Sequence, residues 1–191
     1  MHIPKGAIYG FVGRNGAGKT TLIRLICGLQ EPSGGSYTLY GEKNNEDAIV
    51  RSRRRMGAVV ESPSIYMDMT ARDNIRQQYQ VLGLPSENGI DELLQLVGLA
   101  DTGKKKAKNF SLGMRQRLGI AQAIMENPNI LILDEPMNGL DNQGVEHIRS
   151  VLLSLKEQRV TIVLASHFKE DISYLCDEVY EMDAGILTRM G

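Results

Sequence analysis

No apolar run in the sequence approaches the roughly 18 residues that a helix needs to cross a bilayer. The opening Met1-His2-Ile3-Pro4-Lys5-Gly6 lacks the apolar stretch of a signal peptide. An excess of charge is missing too, since 22 Lys+Arg stand against 23 Asp+Glu for a formal net charge of −1. That balance excludes a protein held to nucleic acid by its overall field. Cysteine is scarce: only Cys27 and Cys176 occur, each inside an apolar helical pattern. Buried free thiols are therefore expected rather than a disulfide, as suits a cytosolic chain. Internal repeats and low-complexity tracts are absent. What is present is an ordinary globular composition, 42% hydrophobic and 24% charged over 191 residues, enough for one sizeable core with or without a smaller appendage.

The strongest local signal is Gly13-Arg14-Asn15-Gly16-Ala17-Gly18-Lys19-Thr20-Thr21, which fits the phosphate-binding loop G-x-x-x-x-G-K-[ST]. Its context agrees. Ala7-Ile8-Tyr9-Gly10-Phe11-Val12 reads as a buried strand leading in, and Thr21-Leu22-Ile23-Arg24-Leu25-Ile26-Cys27 as a helix leading out. Glycines let successive backbone N–H groups turn inward into a nest for an anion, and the helix directs its positive end to the same place. Lys19 supplies a point charge to the terminal phosphates, and the Thr20 hydroxyl is a hard ligand for magnesium.

Further along, Glu31-Pro32-Ser33-Gly34-Gly35 marks a turn and Ser36-Tyr37-Thr38-Leu39-Tyr40 alternates like a strand, with a second turn over residues 41–45. A short helix runs into Arg51-Ser52-Arg53-Arg54-Arg55, read as a solvated face, and Met56-Gly57-Ala58-Val59-Val60 is a buried strand. Residues 62–126 are helical in character. Thr70-Ala71-Arg72-Asp73 resembles a capping box for a helix to about residue 82, broken by Gly83-Leu84-Pro85-Ser86. Ile90, Leu93, Leu94 and Val97 form a helical stripe, and Ser111 caps a helix over 112–125. Strand character returns in Asn129-Ile130-Leu131-Ile132-Leu133 and in residues 160–165, with a helix over 143–158 between them. A last helix and a hairpin around Asp183-Ala184-Gly185 finish the chain. Continuous apolar strands separated by helices predict an α/β fold, a parallel sheet covered on both faces.

Asp134-Glu135 closes one of these strands, and open parallel sheets bind ligands at that edge. Beside a phosphate loop, Asp134 would hold magnesium and Glu135 would orient and deprotonate an attacking water.

With these motifs on the page, the chain resembles the nucleotide-binding subunit of an ABC transporter over essentially its whole length. Phe110-Ser111-Leu112-Gly113-Met114 matches the place of the signature motif, Asn138-Gly139-Leu140-Asp141 the D-loop, and His167 the switch histidine. The resemblance implies a P-loop NTPase with a RecA-like ATP-binding core at 1–61 and 127–191 and a helical subdomain at 62–126. It implies ATP and Mg2+ as cofactors, with Thr20, Asp134 and Glu61 near the metal. It also implies two chains closing over two ATP molecules. Ser111, Leu112 and Gly113 of one chain would then meet the γ-phosphate on the other, Asp141 would lie at the junction, and His167 would hold Glu135. The partner would be a separate transmembrane permease, with the chain cytoplasmic and peripheral on the inner face of the membrane.

The chain departs from the family pattern at three places. Glu61 stands where most members have a glutamine, which, with the Ser-Leu-Gly-Met signature, is similar to the branch handling bacitracin and lantibiotic peptides. Set beside the family, the chain reads as truncated at both ends. The resemblance places about two further strands, one with an adenine-stacking aromatic, before Ile3. Tyr9 is too near the phosphate loop to serve as that aromatic. Three functions stay open at this stage: the export ATPase, a soluble non-transport ABC ATPase, and a nucleotide-binding module that no longer hydrolyses.

Overall fold

A computed structural model describes residues 1–84 and 88–190. Pro85 and Ser86 of the expected helix break, and Gly191, lie outside the described residues. In chain order the elements are β1 (Ile8–Val12), α1 (Lys19–Cys27), β2 (Thr38–Leu39), β3 (Glu42–Lys43), α2 (Ala48–Arg53) and β4 (Met56–Val59). Then come α3 (Ala71–Leu82), α4 (Ile90–Leu96), α5 (Leu112–Ile124), β5 (Ile130–Asp134) and α6 (Asn142–Glu157). The chain closes with β6 (Thr161–Ser166), α7 (Lys169–Leu175), β7 (Glu178–Asp183) and β8 (Ile186–Arg189).

One six-stranded sheet takes the order β4-β5-β6-β1-β7-β8, and only β8 runs antiparallel to its neighbour. Every residue of β1 and β6 is buried, as a parallel strand covered on both faces requires. Alternate side chains divide between two cores. Ile8, Val12, Leu131, Leu133, Ile162 and Leu164 face α5 and α6, while Tyr9, Phe11, Ile132, Val163 and Ala165 face α1 through Ile23. A fully buried side chain of this kind contributes about 1.5–3 kcal/mol relative to exposure, so the sheet is the main store of stability.

Glycine permits the closest contacts. A Cβ on Gly10 would stand 2.7 Å from Cys176 Sγ, and one on Gly57 would stand 1.9 Å from the Ala123 carbonyl oxygen. These positions let α7 and α5 lie directly on the sheet.

The strand expected at residues 36–40 does not join this sheet. It shortens to β2 and pairs with β3 across Tyr40 and Gly41, both at positive φ (54° and 89°), a two-residue turn matched to strand twist. The arginine run is also more than a solvated face. Arg53 donates to the Ile26 carbonyl (3.3 Å) and to the Tyr37 hydroxyl (2.6 Å), and Tyr37 donates to Leu25 O (2.6 Å). Carbonyls at the end of α1 need partners, and these side chains supply them. Arg55 lies 4.3 Å over the Tyr40 ring. Both cysteines are free, and burial raises their thiols to about 11 for Cys27 and about 12 for Cys176.

Candidate functional site

Four adjacent strands, β4, β5, β6 and β1, carry Glu61, Asp134 with Glu135, His167 and the phosphate loop at or just beyond their carboxyl ends. Strand spacing of about 4.8 Å brings together residues far apart in sequence. The loop after β1 is built from backbone. Gly16 and Gly18 take φ of 80° and 112°, and a Cβ on Gly13 would stand 2.3 Å from the Met182 carbonyl oxygen. Ala17 N–H donates to Arg14 O at 3.1 Å, which closes the turn. Gly18 caps α1 without a side-chain hydrogen bond and no acidic residue occupies the first turn, leaving donors directed into the loop. Asn15 and Thr21 lie exposed on the loop and the first turn of α1.

The Lys19 side chain is only 5% exposed. Its ammonium donates to Gly13 O (2.7 Å) and Arg14 O (3.3 Å) and lies 3.4 Å from Glu135 Oε1. Thr20 Oγ1 donates to Asp134 Oδ2 at 2.7 Å. Asp134 is 2% exposed, and its Oδ1 has no hydrogen-bond partner among the described residues. Burial, and then the neighbouring Glu135 and Glu61 charges, raise the Asp134 carboxyl above the usual range, against the opposing pull of the Thr20 hydrogen bond and Lys19.

A buried carboxylate oxygen without a donor, next to a hydroxyl, is a fitting pair for a hard divalent cation. No group of three or more His, Cys, Asp or Glu suited to a metal occurs among the described residues. Magnesium suits such a site because it is commonly held by one or two protein oxygens together with phosphates and water.

Glu135 follows β5 with φ 50°, and its N–H donates to Ala165 O at 2.9 Å on the neighbouring strand. That left-handed backbone aims the side chain at His167, which follows β6. Glu135 Oε2 accepts from His167 Nδ1 at 2.8 Å and from His167 N–H at 3.3 Å. When Nδ1–H donates to Glu135, a neutral ring has only a lone pair at Nε2. His167 can therefore hold Glu135 and donate to a phosphate oxygen together only as the imidazolium.

Among the described residues no hydrogen bond or ion pair joins Glu61 to Thr20 or Asp134, although its charge acts on Asp134. Its φ is 61°, and Ser62 N–H bridges it to Val60 O at 2.8 Å in a tight γ-turn. Its carboxylate is ion-paired with Arg24 of α1. Arg24 was missed in the sequence, although it lies four residues after Thr20 and so on the same helical face.

Ser111 caps α5, accepting from Met114 N–H at 3.2 Å, and Leu112 beside it is exposed. Asp141 caps α6 through Gly144 N–H at 2.8 Å. The two motifs touch. A Cβ on Gly139 would stand 2.7 Å from Leu112 Cδ2, and one on Gly113 would stand 3.2 Å from Leu140 Cδ2. Among the described residues no hydrogen bond or ion pair links Ser111 or Asp141 to the phosphate loop of their own chain.

A phosphate loop on β1, an acidic strand end two strands away and a histidine on the strand between them define a P-loop NTPase domain. Comparison with known proteins narrows this. The family described as ABC transporter matches residues 1–138. The bacitracin transport ATP-binding protein BcrA of Bacillus licheniformis is 45% identical over 183 residues, covering 94% of this chain and 58% of its own length. The lantibiotic transport ATP-binding protein SrtF of Streptococcus pyogenes is 40% identical over 177 residues, covering 93% and 75%. Among solved structures, a dimeric ATP-binding cassette in a post-hydrolysis state with ADP and Pi superposes with a TM-score of 0.86 at 25% identity, covering 98% of this chain and 85% of that one. Another, cbiO1 from Clostridium perfringens, part of an ABC transporter complex, gives 0.84 at 27%, covering 98% and 77%.

The chain belongs to the ABC transporter family and is homologous to its ATP-binding proteins. It spans less than two thirds of the length of the BcrA relatives it matches, 58% and 61%. No helix among the described residues is long and apolar enough to cross a membrane.

Proposed function

We propose that this chain is the ATP-hydrolysing part of an ABC transporter that exports a peptide antibiotic or similar amphiphile through a separate permease. The observation that carries the reading is the Glu135–His167 pair, held 2.8 Å apart beside Lys19 and next to the free oxygen of Asp134.

The loop N–H groups and Lys19 bind the phosphates. Glu135 accepts a proton from the attacking water, and His167 keeps the carboxylate turned toward it. Thr20 and Asp134 would hold Mg2+, which would supply positive charge to offset that of the phosphates. Ser111, Leu112 and Gly113, at a helix N-terminus, supply donors to the γ-phosphate bound by a second copy, with Asp141 at the junction. In this reading residues 62–126 move as the signature-bearing subdomain against a core of 1–61 and 127–191. The chain sits on the cytoplasmic face of the membrane and takes no nucleic acid. The transport names of the relatives, the glutamate at position 61 and the Ser-Leu-Gly-Met signature support the peptide-antibiotic class.

Magnesium-dependent ATP hydrolysis is the test. Glu135→Gln should lower turnover by about 10²–10⁴-fold while ATP binding persists. An unchanged rate would remove Glu135 from the mechanism. ATP binding without turnover in the parent would make the chain a binding module.

A further inference from the structure

The carboxylates around the loop are not equally provided with cations. Glu135 has Lys19 at 3.4 Å and His167 at 2.8 Å, and Glu61 has Arg24, whereas among the described residues Asp134 is hydrogen-bonded by the Thr20 hydroxyl and keeps one oxygen with no hydrogen-bond partner. Asp134 is therefore open to a divalent cation, and Glu61 is engaged.

The engagement is built in from both sides. Arg24 lies one helical turn beyond Thr20, and its carbonyl accepts from Leu29 N–H at 2.9 Å at the end of α1, so its backbone is fixed. Glu61 sits at positive φ in a γ-turn, a backbone state that persists only where the surroundings hold it. Glu61 nevertheless contributes to the field at Asp134.

We propose that Arg24 is a positioning residue that withholds Glu61 from the bound divalent cation, so that the Arg24–Glu61 pair sets how tightly the site takes the metal. The inference rests on the nucleotide-binding reading above. Arg24 competes with the cation for one carboxylate. Freeing Glu61 adds an oxygen ligand and a full negative charge to the metal site, and removing Glu61 leaves Arg24 nothing to withhold.

The test is Mn2+ binding, followed by electron paramagnetic resonance in the presence of a non-hydrolysable ATP analogue. The proteins compared are the parent, Arg24→Gln, Glu61→Gln, the double variant and Arg24→Lys. Both side chains are substantially exposed (41% and 57%), so these substitutions leave the core untouched. Arg24→Gln should tighten Mn2+ binding by up to about fivefold, the ceiling for an exposed pair. In the Glu61→Gln background the same change should have clearly less effect, and Arg24→Lys should stay near the parent. Equal shifts in both backgrounds would mean only a long-range field and would overturn the inference, as would weaker binding in Arg24→Gln. A parent chain that takes up neither Mn2+ nor the nucleotide analogue would overturn the nucleotide-binding reading itself, and this inference with it.

Discussion

Asp134 is buried, and burial with its acidic neighbours makes its charged form costly in the absence of a cation. Its carboxyl is raised above the usual range, so the folded state favours the protonated form. Its contribution to stability is therefore full below the ordinary Asp value of about 3.9 and is lost as pH rises through the raised value. Asp134→Asn keeps an acceptor for Thr20 and removes the charge. With nucleotide and metal absent and a chelator present, the variant should melt above the parent at pH 7, by about 2–4 °C for each ~1 kcal/mol relieved. The difference should close toward acid, and thermal melts between pH 4 and 8 read it; a parent that melts higher at pH 7 would refute the account. At this scale residue type pointed to side chains that the structure brings together: Lys19 beside Glu135, Thr20 on Asp134 and Glu135 on His167. Backbone state was not legible there. The left-handed φ at Glu61 and Glu135 follows from what the neighbouring strands impose, and a glutamate carries no local sign of it.

Elements differ in how much of their neighbourhood their own residues encode. Helix caps were readable because capping is local: Thr70 accepts from Asp73 N–H at 3.1 Å to open α3, and Ser111 opens α5 as expected. The separate β2–β3 hairpin was not readable, since an alternating run does not say which sheet it joins. Close packing of β4 on α5 was equally hidden, and it supports a sharp test. Gly57 is not at positive φ, so its requirement is space alone, and a Cβ there would stand 1.9 Å from Ala123 O. Gly57→Ala should destabilise by about 1–3 kcal/mol, because the helix backbone must move off the strand. Chemical denaturation with urea reads the loss. Unaltered stability would show that α5 shifts freely on the sheet, and with it the signature motif that α5 begins.

For the whole molecule, the order β4-β5-β6-β1 does the assembling, and no pattern of residue types discloses strand order beyond the general rule that ligands bind at carboxyl ends. The topology sets His167 between the phosphate loop and Glu135 because β6 lies between β1 and β5. It leaves Ser111 and Asp141 without a hydrogen bond or ion pair to their own chain's phosphate loop among the described residues, which suits a site completed by a second copy. A Glu135→Gln chain mixed with ATP and magnesium should accordingly run as a dimer in light scattering, and as a monomer with Lys19→Ala added. A monomer under both conditions would speak against shared sites.

The β7–β8 hairpin touches the phosphate loop: Gly185 N–H at its tip donates to Ala17 O at 2.9 Å, and Met182 O lies where a Cβ on Gly13 would have to go. In a chain emerging from the ribosome, residue 17 is made long before residue 185. The loop therefore gains this backbone partner only after the hairpin has been made, so a nascent chain that has not yet reached residue 185 carries the loop without that brace.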